Sequence, residues 1–160
     1  MTSLLDAELK SPFSIHAINE THTNILGELM DISYRDSIDY EGETLAQCIQ
    51  EMSDTIAGKH GTLIREASFI IKSDQIPASA VLVTEWKGEP LVAYTMSNPR
   101  FRGQGLAKCS MRKAISALYS LGRNELFLVV TEGNTQAEAL YQKMGFEKVG
   151  PTKQPPPVSE

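Results

Sequence analysis

Little in this chain commits it to a specialised environment. Only two cysteines, Cys48 and Cys109, occur in 160 residues, too few and too far apart for a disulfide framework or a thiolate metal site. Both fall at or near apolar positions of predicted helices, which suits reduced, buried thiols. No apolar run approaches the roughly 18 residues that a membrane-spanning helix needs, and no basic stretch followed by an apolar one opens the chain, so neither a span nor a secretory signal is expected. A cytoplasmic location without membrane contact follows as the expectation. Basic charge is not in excess either: the formal charge is −5, and with no basic arms this argues against nucleic acid as a partner. His16, His22 and His60 lack ligand spacing, so no metal is expected. What is present, 41% hydrophobic and 22% charged residues, is enough for one domain with a real core. The expected organisation is a loosely ordered segment over residues 1–12, a single domain over 13–150 and a proline-rich tail over 151–160.

The charge is unevenly spread. From Leu91 to Asn124 there are six basic residues and no acidic one, so this segment carries +6 and the remainder −11. Within it, Ser97 to Ala107 follow the strand-like run Leu91 to Met96 and open a helix-like one. A tight strand-to-helix turn leaves backbone N–H groups without partners, glycines let a ligand approach the main chain, and the helix dipole favours negative charge. Phosphate is the natural occupant, and the local positive field suits it. The spacing matches neither the G-x-G-x-x-G of a dinucleotide-binding turn nor a loop ending in Gly-Lys-Ser/Thr.

Apolar periodicity supplies the remaining elements. Phe13 to Ile18 alternate as a short strand. A helix is predicted over Thr23 to Tyr34, and a second starts at Thr44 as N-cap, with Leu45, Cys48, Ile49, Met52 and Ile56 on one side and Gly58 at its end. Strands are predicted at Ala67 to Lys72, Ala78 to Trp86 and Leu91 to Met96, with connections short enough for hairpins. A helix over Gln104 to Leu121 leads to the apolar run Leu126 to Val130, which suits a strand covered on both faces. Asn134 then caps a helix that presents Ala137, Leu140, Tyr141 and Met144 on one face and stops at Gly145. Phe146 to Val149 form a last short strand.

Two motifs in this order carry a family resemblance. Arg102-Gly103-Gln104-Gly105-Leu106-Ala107 resembles the Gln/Arg-x-x-Gly-x-Gly/Ala signature of the GNAT superfamily of acetyl-CoA-dependent acyltransferases, with Pro99 where that family usually has a proline. Asn134, Ala137, Leu140, Tyr141, Gly145 and Phe146 match its Asn-x-x-Ala-x-x-Leu-Tyr-x-x-x-Gly-Phe. The resemblance implies an α/β (α+β) fold built on a mixed, mostly antiparallel sheet with helices on both faces. One departure is that the family's further strand after Gly-Phe is replaced by Pro151, Pro155, Pro156 and Pro157, which cannot join a central ladder. A homodimer is one way to cover the exposed edge.

The same resemblance implies acetyl transfer from acetyl-CoA to an amine by direct attack. Its cofactor site would comprise Arg102, Gly103, Gln104, Gly105, Leu106, Ala107 and Lys108 around the pyrophosphate, Met96 and Ser97 at the thioester, and Asn134 at the pantetheine arm. Tyr141 would complete the cofactor site, its hydroxyl near the sulfur of coenzyme A, and act as general acid for the leaving thiolate, a role that its ordinary phenol pKa near 10 suits; packing on the apolar face is its alternative. Glu85, Glu132 and Glu125 are candidate bases without a decisive motif. Asp31 to Asp54 contain seven acidic residues against Arg35 alone; there Tyr34, Asp39 and Tyr40 would border an acceptor pocket for a cationic amine. An idle acyl-CoA-binding domain and a nucleotide- or phosphate-binding module remain as other uses of the same turn.

Overall fold

A computed structural model of the chain describes residues 12–35, 40–130 and 134–147. Five strands form one sheet in the order of the sequence: β1 (Phe13–Ala17), β2 (Phe69–Ser73), β3 (Ile76–Trp86), β4 (Glu89–Ser97) and β5 (Phe127–Leu128). The first four pair antiparallel. Between β3 and β4 the turn is the two residues Lys87 and Gly88, both at positive φ (50° and 81°), as a tight hairpin matching strand twist requires. β5 instead runs parallel to β4, which demands a crossover. The helix Leu106–Ser120 provides it.

Four α-helices cover the sheet among the described residues: α1 (Thr23–Arg35), α2 (Leu45–Ile56), α3 (Leu106–Ser120) and α4 (Thr135–Lys143). Alternation along β3 assigns them to faces. Ala80 and Leu82 pack with Leu26, Leu29 and Met52 of α1 and α2; Val81 and Val83 pack with Met111, Leu118 and Tyr141 of α3 and α4. Burying each large side chain in these two layers stabilises the fold by about 1.5–3 kcal/mol. Helix α2 starts as the sequence predicts: Thr44 Oγ1 accepts from the Gln47 amide and Gln47 Oε1 from the Thr44 amide, a reciprocal capping box.

The mixed sheet with helices on both faces agrees with the predicted fold class. Two expected strands differ. β5 is only Phe127–Leu128 rather than Leu126 to Val130, half-buried rather than covered, because its pairing with β4 stops at Val92↔Leu128. Phe146 and Glu147 carry no regular structure, and the rest of the strand expected there lies outside the described residues. So do the segments 1–11 and 151–160. Cys48 and Cys109 are buried free thiols, and burial, with the nearby Asp31 and Glu43 charges, pushes the Cys48 thiol pKa up.

Candidate active site

The site is built where β4 hands over to α3. Asn98, buried at the end of β4, donates from Nδ2 to the Pro77 carbonyl (3.0 Å) and accepts from the Arg100 amide at Oδ1 (3.0 Å), which holds a short 3-10 turn with Pro99 in its first position. The chain then passes Gly103 and Gly105, both left-handed (φ +80° and +73°), and a Cβ at either would meet nothing within 4 Å. The turn therefore faces open space. Gly105 is the N-cap of α3 and brings no capping side chain, so the first amides of this 15-residue helix have neither an intrahelical partner nor a cap among the described residues. Arg102, Gln104 and Lys108 are exposed on this turn, whereas the Leu106 side chain is anchored in the core beside Ile71, Ala78 and Cys109. Open amides, a helix dipole and cationic side chains fit a diphosphate.

The edge of β4 leads into this turn. β5 leaves β4 beyond Val92, so Ala93 to Ser97 have no strand on that side among the described residues. The Asn98 amide donates to Ala78 on β3 (2.9 Å). By alternation the Met96 amide also faces β3, in register with Ala80. Ser97 points the other way, its amide donating to Ser33 Oγ of α1 (3.1 Å). Ser33 had no signal in the sequence, because only packing of α1 on the sheet brings it there.

Tyr141 of α4 is 8% exposed and sits edge-on to Phe146, ring centroids 5.8 Å apart. Burial pushes its pKa up, an effect partly offset by the Thr95 side chain of β4 beside it. The phenol thus stays protonated at neutral pH. Thr95, like Ser33, was not singled out from sequence. Asn134 caps α4, Oδ1 accepting from the Ala137 amide (3.2 Å).

Glu85 lies elsewhere. Arg123 grips it at both oxygens, Nη1 to Oε2 at 2.7 Å and Nη2 to Oε1 at 2.9 Å, and this hydrogen bonding lowers its pKa. Six residues of β3 separate Glu85 from Ser79, the partner of Ser97, which is roughly 20 Å at ~3.3 Å per residue. Glu85 is thus engaged by Arg123 and stands well away from Ser97. Glu132 and Asp39 lie outside the described residues. Glu125 is exposed.

On the opposite face, Tyr34 and Tyr94 rings lie 6.4 Å apart. Tyr94 donates its hydroxyl to Glu51, and burial, reinforced by Glu51, pushes its pKa far up. Asp31 is 7% exposed and pairs with Arg35 at 3.1 Å. Tyr34 is half-buried at the end of α1, whereas Tyr40 is 41% exposed. Glu51 and Tyr34 thus lie beside Tyr94 of β4.

The profile of the acetyltransferase (GNAT) family matches residues 55–146, a span that includes the glycine turn, the β4 edge and Tyr141. No curated protein matches the chain in sequence. Among solved structures, AAC(6')-Iy in complex with a CoA-S-monomethyl-acetylneamine bisubstrate analogue is similar at a TM-score of 0.66 and 18% identity, covering 88% of this chain and 95% of that one. The ribosomal-protein-S18-alanine N-acetyltransferase from Escherichia coli gives 0.66 and 17%, with 86% and 79% covered. PaiA N-acetyltransferase from Thermoplasma acidophilum, in complex with coenzyme A, gives 0.68 and 14%, with 84% and 89% covered. Among the described residues no helix is long and apolar enough to cross a membrane.

Proposed function

The chain belongs to the GNAT family of acetyltransferases, whose acyl donor is acetyl-CoA, and from that premise we infer that it acetylates an amine, cationic in its free form, through a ternary complex. Acetyl-CoA supplies an activated acetyl thioester. The amides from Gly103 to Lys108 hold its diphosphate, with Arg102 and Lys108 adding charge, and the edge of β4 beyond Val92 orients the pantetheine arm that Asn134 flanks. The amine nitrogen attacks the carbonyl carbon, a C–N bond forms, and the C–S bond breaks. Tyr141 gives its proton to the departing sulfur, while the amine's proton passes to water or to a base that the described residues do not identify. Holding both reactants in line lowers the barrier, and a positioned acid adds to it.

The observation that carries this reading is the convergence on one gap of the open glycine turn, the unpaired stretch of β4 and the Tyr141 hydroxyl at Thr95. Support for a cationic acceptor comes from Tyr34 and Tyr40 in a segment with seven acidic residues and one basic one. The structural neighbours act on acceptors as different as an aminoglycoside-like neamine and a ribosomal-protein alanine, so the likeness of fold leaves the acceptor to experiment. A panel of polyamines, amino sugars and peptide amines, scored by thiol release from acetyl-CoA, tests the reading. Turnover with at least one cationic amine is expected; thiol release that no amine accelerates would overturn it.

A further inference from the structure

We propose that Glu51, Asp54 and His60 form a binding site for one divalent transition-metal ion, zinc by preference, at the C-terminal end of α2. Sequence spacing alone did not suggest it, since the three residues form no familiar ligand pattern. The fold assembles them. Glu51 and Asp54 are three apart on α2 and therefore share a face. The helix then ends in a tight cap: the Gly58 amide donates to Thr55 O (3.1 Å) and the Lys59 amide to Asp54 O (3.0 Å), with Gly58 left-handed at φ +86°, the double bond pattern of a Schellman turn. This folds the chain back so that His60 returns over the last turn of α2. Gly61 locks the return, because a Cβ there would lie 2.2 Å from the Glu85 carbonyl oxygen.

One donor atom from each of the three side chains lies within 4.8 Å of the others. His60 Nε2 is 3.1 Å from Glu51 Oε2, yet this buried nitrogen has no aligned hydrogen-bond partner. A lone pair and a carboxylate oxygen facing each other in this way are what a cation between them would satisfy. With bonds of about 2.0–2.1 Å to zinc, donors 3.1 Å apart subtend about 100° at the ion, within the range of a distorted tetrahedron. Two donors on one zinc can be at most about 4.2 Å apart, so a small rotation of one carboxylate closes the set.

Support around the donors is also in place. The Tyr94 hydroxyl donates to Glu51, orienting a ligand carboxylate as outer-shell groups in metal sites do. Asp54 is held by Gln50 Nε2 (2.9 Å) and by Lys59 Nζ (3.2 Å). Lys59 is mostly exposed and is the cation that the metal would displace from Asp54. Glu51 and Asp54 also border a shallow depression beside Gln47 and Gln50. One imidazole and two carboxylates favour a borderline ion such as zinc over calcium or magnesium, which prefer oxygen alone.

The test uses the full chain stripped with EDTA and does not depend on acetyl transfer. Titration with Co²⁺, followed by visible absorption, and with Zn²⁺, followed by calorimetry, is expected to give one site per chain, with Zn²⁺ raising the melting temperature. His60→Gln and Asp54→Asn should each weaken binding at least tenfold and remove the melting shift, whereas His16→Gln on β1 should change neither. Both variants keep side chains of similar shape, and a circular dichroism spectrum establishes that they fold. Absence of binding by the wild-type chain at millimolar metal, or undiminished binding in either variant, overturns the proposal.

Discussion

Tyr141, carried on α4, lies buried beside Thr95 of β4, two residues before the strand ends at Ser97. Neither residue could place the other, since they stand on separate elements that only the fold brings together. Tyr141→Phe keeps the ring in its layer and removes only the oxygen. Turnover should fall by about 10²-fold or more, the usual scale of a lost general acid, with coenzyme A affinity unchanged by calorimetry. Because the phenol pKa is raised, the alkaline limb of kcat should lie above the ordinary tyrosine range, near pH 10. An unaltered kcat in the variant would show that the residue only packs.

Gly105 offers a way to separate strain from occupancy. Its φ of +73° with open space around the Cβ direction predicts that Gly105→Ala costs about 1–2 kcal/mol of stability and modest affinity. Gly105→Glu should weaken coenzyme A binding far more, since an anion then competes for the diphosphate's place. Equal dissociation constants for the two variants would place the cofactor elsewhere.

Glu85 makes the opposite test. Glu85→Gln should leave turnover within about twofold of wild type, because the residue is committed to a half-buried ion pair with Arg123 and stands far from Ser97. The pKa of Glu85 is lowered from 4.5 by Arg123 hydrogen bonding. Its stabilising contribution is therefore present above about pH 4.5 and fades as pH falls through the depressed folded value. Acid melting curves of wild type and variant should converge only below that range; a large loss of turnover at neutral pH would restore Glu85 as a base.

Tyr94 predicts the alkaline counterpart. Its folded pKa is raised from 10.0 by burial and by Glu51, so the folded state keeps a proton that the unfolded chain releases. Stability from this source is complete below pH 10 and declines as pH rises above it. Tyr94→Phe should flatten that decline in urea titrations while costing about 1–3 kcal/mol at neutral pH, since Glu51 loses its buried partner. A slope unchanged by the substitution would contradict the assignment.

Gly61→Ala is expected to be severe. The added methyl would press on the Glu85 carbonyl at 2.2 Å, at a φ of +114°, so backbone strain of about 1–3 kcal/mol adds to a steric clash. A melting temperature within a degree of wild type would show that this turn relaxes freely.

Local signals wrote most of the elements into the chain. Thr44 and Gln47 set the start of α2, Asn134 caps α4, and the strand-to-helix turn after Ser97 is legible from Gly103 and Gly105, since capping, left-handed turns and apolar periodicity act over a few residues. The parts of the site that were not legible are long-range. Ser33 on the Ser97 amide, Thr95 on Tyr141, Arg123 on Glu85 and His60 over Glu51 each join residues from separate elements.

The residues alone thus determined the family, the order of most elements and a glycine turn that opens a helix, because helix caps and main-chain geometry need only neighbours in the chain. Which amide of β4 faces the gap, where Glu85 points and what surrounds His60 were decided by strand register and helix packing. Those depend on the whole core closing at once, and no stretch of sequence carries that information by itself.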